Sequence, residues 1–400
     1  MRLPALIRAA AMALALVSVP PARAEAPADF SVWLAGFRDR ALAAGIGAGT
    51  LDAALPGIVW LPEVVDRDRN QFEFTRTVWD YLDRAVSEDR IAAGRRALAD
   101  HAALLAEIET RFGVDRHILA AIWGLESSYG AVRGDVPTLS ALATLAHEGR
   151  RGTFFEAELL AALGFLDRGE VAPDALKGSW AGAMGHTQFM PGSLVAQGVD
   201  LRGDGRRDVW SDDPADALAS TAAYLAANGW VTGQPWGVEV RLPADFDYTL
   251  ARDTNRQSPA YWADLGVRAE DGTIVPDHGV ARILLPGGYR GVAFMIFRNF
   301  AVLETYNTAD AYVVAVGHLA DRLRGGPPLS DSWPRGERAL SFDERIELQE
   351  RLTAAGFDTR GIDARVGPLT VAAVRGYQRA RGLVPDGFAS VSLLESLRAE

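Results

Sequence analysis

Not one of the 400 residues is a cysteine. In an exported chain that count excludes disulfides, thiol catalysis, a thiolate zinc site and lipid attachment at an N-terminal Cys. The six histidines are scattered and form no grouping suited to a transition metal. Past the first two dozen residues, no apolar run approaches the roughly 20 residues that a membrane-spanning helix needs. Positive charge is also scarce. Against 52 Asp and Glu stand 41 Lys and Arg, a formal net charge of −11. Nucleic acid is therefore an unfavourable partner. Tight electrostatic adsorption to an acidic polymer is disfavoured too, so affinity for one must come from shaped sites.

What is present begins with an export signal. Arg2 and Arg8 precede an apolar run over residues 9–19, followed by Pro20, Pro21 and Ala22-Arg23-Ala24. This is the pattern of a secretory signal peptide, residues 1–24, with its cleavage site. Loss of Arg2, Arg8 and Arg23 moves the net charge from −11 to −14. The mature chain is expected to be soluble and without a membrane anchor. Its 48% hydrophobic content suits packed cores.

Residues 25–324 read as one large unit. Apolar spacings of three and four predict helices over residues 30–44, 87–112, 115–127, 155–166, 213–227 and 309–323. Short strands are predicted at 238–242, 281–285 and 292–297, a small antiparallel sheet inserted in a helical body. Residues 325–340, rich in Gly and Pro, read as a flexible linker. Residues 341–400 hold three short amphipathic segments, enough for a marginal three-helix domain.

Two segments carry chemistry. Glu126 follows Ile118-Leu119-Ala120-Ala121-Ile122-Trp123-Gly124-Leu125 and precedes Ser127-Ser128-Tyr129-Gly130. With Asp115 as N-cap and Gly130 past the end, Glu126 falls in the last turn of a helix. Apolar neighbours and the negative end of the helix dipole both disfavour its ionised form. A carboxyl that keeps its proton near neutrality is what a general acid for glycosidic bonds requires. A solvated Glu at a helix end is the alternative. The second segment runs from Lys177 through Gly178-Ser179-Trp180-Ala181-Gly182-Ala183-Met184-Gly185-His186-Thr187-Gln188-Phe189-Met190-Pro191. Its glycines let backbone approach a ligand, and Gln188 offers both a donor and an acceptor beside apolar faces. A tight turn with Gln188 solvated is the competing reading.

The order of these segments resembles the B-type lytic murein transglycosylases. Further marks are Arg150-Arg151 before Phe154-Phe155, Asp204-Gly205-Arg206-Arg207-Asp208-Val209-Trp210, Asn228-Gly229-Trp230, and Thr305-Tyr306-Asn307 with Tyr312. The resemblance implies a mainly α (α+β) fold, a lysozyme-like helical catalytic domain with the small inserted sheet. It makes Glu126 the sole catalytic acid and base. Ser179, Gln188, Tyr224, Tyr306, Asn307 and Tyr312 would line the glycan groove, Tyr81 with them, and Arg150 and Arg151 would meet substrate near the cleavage site. Tyr224 and Tyr312 could equally be core tyrosines on helical spacing, and the arginines a solvated helix start.

The implied reaction needs one carboxyl where water-dependent glycosidases use two. Asp135, in a Gly-Asp-Val-Pro turn, is a weak second candidate. Glu126 would protonate the oxygen between N-acetylmuramic acid and N-acetylglucosamine, then take a proton from the C6 hydroxyl, closing a 1,6-anhydro ring. A hydrolytic muramidase and a non-catalytic wall-binding scaffold are the rival functions.

No cofactor is required, but Asp200, Asp204, Asp208 and Asp216 have an acid spacing similar to that of a calcium loop, and some relatives hold an ion there. Arg202 at the third position, Ser211 at the last, and Arg206 with Arg207 favour an arginine–aspartate network instead. Leu348-Gln349, Gly361-Ile362-Asp363-Ala364, Gly367-Pro368-Leu369-Thr370, Tyr377-Gln378 and Asp386-Gly387 resemble a peptidoglycan-binding domain of the three-helix type, a tether without chemistry. Thr370 is expected to cap the following helix, and Gln378 to fix a helix contact. Partners implied are peptidoglycan strands and cell-wall synthesis or division proteins, and the location implied is the periplasm.

Overall fold

The computed structural model describes residues 26–69, 76–330 and 333–400; the proposed signal peptide lies outside them. Helices dominate. The predicted helix over 115–127 forms as Arg116–Ser127, its N-cap Asp115 accepting from His117 N–H. Helices Gly152–Asp167, Ala215–Ala227 and Asp310–Leu323 lie within a few residues of their predicted bounds. The predicted 87–112 helix is instead two, Glu88–Asp100 and Ala102–Phe112, broken at His101. The reason is tertiary: the His101 ring packs edge-on against Trp123, 5.3 Å between centroids.

Six strands occur among the described residues: β1 Val136–Pro137, β2 Lys177–Gly178, β3 Gly237–Arg241, β4 Arg268–Ala269, β5 Arg282–Leu284 and β6 Ala293–Ile296. β1 pairs with β2 alone, next to the Gly-rich segment. The others form the expected antiparallel sheet in the order β4-β3-β6-β5. β4 escapes sequence reading, because two residues show no alternation. This sheet closes over its own core, with Trp262, Phe246, Ile283 and Met295 buried.

The helical body has two cores. One gathers Ile118–Trp123 and Val313–Val316 around Leu105, Leu218 and Phe300; the other gathers Leu142, Leu159, Leu163, Met184 and Phe189. Tyr224 and Tyr306 pack against both and so mark their junction.

Helices Phe342–Ala354, Pro368–Ala380 and Val391–Arg398 make the small C-terminal unit around Leu348, Val374, Tyr377 and Leu394. Ser341 and Glu344 form a full capping box at its first helix. Thr370 does not cap the second, whose N-cap is Gly367; its hydroxyl donates instead to Arg365 C=O. Gln378 does fix a contact, donating to Asp386 Oδ1 and accepting from Gly387 N–H.

The joining segment departs from the flexible tether expected of it. Ser330 N–H donates to Glu239, Trp333 packs on Trp79 at 6.0 Å, and Arg335 pairs with Asp83 at 2.9 Å. Tyr289 N–H donates to Asp386 Oδ2 at 2.9 Å, and the Arg375 guanidinium donates to Ala251 C=O, so the C-terminal unit is seated on the body. Aromatic side chains among the Gly and Pro residues supply that adhesion.

Close packing at Gly317 gives a direct test of the first core. A Cβ there would lie 2.3 Å from the Trp236 ring, which is anchored by its Nε1–H donating to Asp321 Oδ2. Gly317→Ala should cost about 1–3 kcal/mol. The check is urea unfolding, with a lowered midpoint and an unchanged slope.

Candidate active site

The Glu126 helix is apolar almost all round, with Ile118 through Gly124 buried. It ends in a tight reversal. Ser128 and Tyr129 both adopt left-handed backbone, φ 51° and 60°, and their N–H groups bond back to Gly124 and Trp123 carbonyls. Tyr129 folds onto Gly124, where a Cβ would meet its ring at 2.5 Å, and its hydroxyl donates to Arg90 C=O. The expected glycine stop at Gly130 is thus preceded by two non-glycine left-handed residues, a strained arrangement held by packing. Glu126, in the last turn, is half-buried.

Its carboxyl is met from across the cleft. The Tyr312 hydroxyl donates to Glu126 Oε1 at 2.6 Å. Tyr312 sits in the first turn of helix Asp310–Leu323 and is buried. Burial pushes the Tyr312 and Tyr306 phenols far above their usual value, and Glu126 when ionised adds to it, so both remain donors. Tyr306 O–H donates to Thr187 C=O at 2.5 Å, and Tyr224 O–H to Thr305 C=O at 2.7 Å. The rings of Phe189, Tyr224 and Tyr306 meet edge to face at 5.5–6.1 Å. Tyr81 packs against the same core and adds to the rise at Tyr312. Asn307 Oδ1 accepts from Ala309 N–H, shaping the turn into the Tyr312 helix.

The Gly-rich segment forms the facing wall. Its glycines serve backbone-to-backbone packing more than ligand approach: a Cβ at Gly178 would lie 2.1 Å from Ala183 O, and one at Gly134 2.1 Å from Gly178 O. Met184 and Phe189 exchange both backbone hydrogen bonds, and Ser179 Oγ accepts from Ala183 N–H. Gln188, at φ 53°, spends its amide hydrogens on Gly185 C=O and Arg133 C=O. Its side-chain carbonyl oxygen can only accept.

Arg150 and Arg151 are both held by one carboxylate. Arg150 grips Asp68 bidentately at 2.7 and 2.5 Å, and Arg151 reaches the same carboxylate at 3.0 Å while lying over Phe155. Burial would raise the Asp68 carboxyl, but the two guanidiniums outweigh it and hold it below its ordinary 3.8. Asp135 is exposed in its turn.

The four candidate calcium ligands all accept backbone amides of their own loop. Asp200 accepts from Gly203, Asp204 and Gly205 N–H, and Asp204 from Arg206 N–H. Asp208 takes Trp210 and Ser211 N–H, and Asp216 takes Leu201 and Asp208 N–H. The amides reach Oδ1 of Asp204 and of Asp208 and both oxygens of Asp200 and Asp216, and Arg207 turns away to Glu170. Among the described residues no group of three or more His, Cys, Asp or Glu is placed to hold an ion.

Sequence reasoning missed Asp68, Arg133 and His186. His186 joins the acid helix to the Gly-rich wall: Trp123 Nε1–H donates to its Nδ1 at 3.1 Å, and Ser127 O–H to its carbonyl at 2.5 Å. No local pattern reports such contacts.

One carboxyl paired to a buried phenol, beside a cluster of tyrosines and a glycine-built segment in a mainly helical body, places the chain with the lysozyme-like folds. The family described as "Transglycosylase SLT domain" matches residues 29–321, and a "Putative peptidoglycan binding domain" matches 342–397. The chain belongs to the SLT transglycosylase family. It is 44% identical over 219 residues to the membrane-bound lytic murein transglycosylase B of Escherichia coli, covering 53% of this chain and 58% of that protein's length. Among solved structures it resembles SltB3 from Pseudomonas aeruginosa in complex with NAG-NAM-pentapeptide, at 46% identity and TM-score 0.90, over 92% of this chain and 99% of that one. It also resembles the Escherichia coli lytic transglycosylase Slt35 in complex with calcium, at 29% identity and TM-score 0.63, over 73% and 92% of the two chains.

The Asp68 cluster should make stability depend on pH. Because the folded-state carboxyl lies below its unfolded value, its stabilisation is complete above about pH 4 and disappears as pH falls through the depressed value. Asp68→Asn should therefore lower the Tm near neutrality, with the gap from wild type closing on acidification, as scanning calorimetry across pH would show.

Proposed function

We propose that this chain is an exported lytic transglycosylase that cuts the β-1,4 bond between N-acetylmuramic acid and N-acetylglucosamine in peptidoglycan, with Glu126 as acid and then base. The observation that carries the reading is the Tyr312–Glu126 hydrogen bond at the end of a buried helix. Tyr312 keeps its proton and donates to Oε1, which orients the carboxyl that carries the catalytic proton. That proton passes to the glycosidic oxygen as its bond to C1 breaks, and neighbouring dipoles stabilise the oxocarbenium-like state. The Glu126 carboxylate, steadied by Tyr312, then removes the proton of the muramic C6 hydroxyl. The C6 oxygen bonds to C1, the 1,6-anhydro ring closes, and Glu126 is reprotonated. No water enters. SltB3 has also been solved in complex with NAG-anhNAM-pentapeptide, which carries the anhydro end that this chemistry makes.

Ser179, the carbonyl of Gln188, Asn307, Tyr224, Tyr306 and Tyr81 are assigned to the glycan groove. Arg150 and Arg151, held by Asp68, shape its rim. The Asp200–Asp216 loop supports itself without calcium. With its leader and a wall substrate, the enzyme works in the periplasm, the C-terminal unit adding affinity for the wall.

Purified sacculi digested with the protein should yield termini lighter by one water than hydrolysis products; termini carrying that water would make it a muramidase. Glu126→Gln should lose about 100- to 10,000-fold in turnover while still binding sacculi. Tyr312→Phe should lose about 10- to 100-fold, the worth of one hydrogen bond to a charged group. Addition of a chelator should leave the rate unchanged.

A further inference from the structure

We propose that His186 is a positioning residue, one that holds the last turn of the Glu126 helix in register with the wall carrying Thr187 and Gln188. The inference rests on the catalytic role given to Glu126 above. Its basis is a set of directional contacts that converge on one buried ring. Trp123 Nε1 can only donate, so His186 Nδ1 must be its bare acceptor, at 3.1 Å. The opposite nitrogen, Nε2, lies 2.9 Å from Ser211 C=O and therefore carries the hydrogen. The imidazole is neutral and confined to one tautomer.

The backbone of the same residue closes the lock. Ser127, next to Glu126, donates its hydroxyl proton to His186 C=O at 2.5 Å and accepts from Gly130 N–H at 2.9 Å. The ring lies against Gly130, where a Cβ would come within 2.6 Å of Nδ1. The next residue, Thr187, receives the Tyr306 hydroxyl, and the one after is Gln188. One residue thus ties the acid helix, its left-handed reversal, the tyrosine wall and the Gln188 wall together.

A second proton on the imidazole would undo the arrangement, since Nδ1–H would face the Trp123 N–H. The surroundings act against that proton. Burial holds the ring below its ordinary 6.5; the hydrogen bond to Ser211 C=O acts the other way, Arg133, with Nη1 3.4 Å from Nε2, adds like charge, and Asp212 and Asp213 oppose it. Behind the ring, Trp123 is itself met edge-on by Tyr129 and His101. Burial holds the Tyr129 phenol at about 12, so it stays neutral.

The test compares His186→Gln with His186→Leu in the full-length enzyme, reading kcat and KM on soluble glycan strands, binding to sacculi, and the pH profile. Glutamine can present a carbonyl to Trp123 and an amide hydrogen to Ser211; leucine can present neither. His186→Leu should lose roughly 10- to 100-fold in kcat, as small misplacements of a reacting group do, with KM and sacculus binding little changed. His186→Gln should recover to within about threefold of wild type, the residual being less than one hydrogen bond's worth. Its activity should also persist to lower pH, because the titrating ring is gone. Wild-type kcat in His186→Leu, or a glutamine variant no better than leucine, overturns the proposal. If the leucine variant does not fold, the glutamine variant decides alone: an acid limb that moves down in pH supports the proposal, and one that stays in place overturns it. A wild-type enzyme that makes no anhydro ends would instead overturn the functional reading.

Discussion

The structure depends on how one buried helix stops. From Ile118 to Gly124 the Glu126 helix has no solvent-facing side, so its end must be made inside the protein, by a reversal through left-handed Ser128 and Tyr129. Such backbone costs on the order of 1–3 kcal/mol per residue and persists only when surrounding packing over-determines it. Tyr129 lying on the bare backbone of Gly124 and bonded to Arg90 provides that packing. The reversal leaves Glu126 on the last turn, half-buried, at the height of the first turn of the helix that bears Tyr312.

Around that point the molecule spends its polar groups on itself. Tyr306, Tyr224, Gln188 and Ser179 all hold structural hydrogen bonds to backbone, yet each retains acceptor capacity. Side chains fixed this way are preorganised, with little conformational freedom left to lose on binding. The two arginines illustrate the same economy, being fixed to a buried carboxylate that itself lies outside every family mark in the sequence. Acids of the 200–216 loop likewise complete turns by accepting its own amides.

Much of this was legible in the chain. Period-three-and-four spacing located the long helices because burial of one face is a local, repeating requirement, and the sheet showed through alternation wherever strands were long enough. The failures have equally physical causes. His101 breaks a helix whose apolar spacing continues through it, since the break answers to Trp123 and not to its neighbours. Trp333 turned an apparent linker into a docked segment through a contact with Trp79, far back in the sequence. Thr370 lost its capping role to Gly367 because a proline already opens that helix and the hydroxyl is drawn to Arg365.

The sequence by itself determined that a Glu ends an apolar helix, that a glycine-rich segment and a tyrosine-bearing helix follow, and that no thiol or membrane-spanning helix takes part in the described chain. These are properties of composition and near-neighbour spacing. Only the tertiary structure decided partners: which phenol meets Glu126 from 186 residues away, which carboxylate holds Arg150 and Arg151, and which ring ties Trp123 to the glycine-rich wall 63 residues on. Hydrogen-bond direction and close packing act at about 3–4 Å. Nothing in linear order sets those distances until the cores have formed.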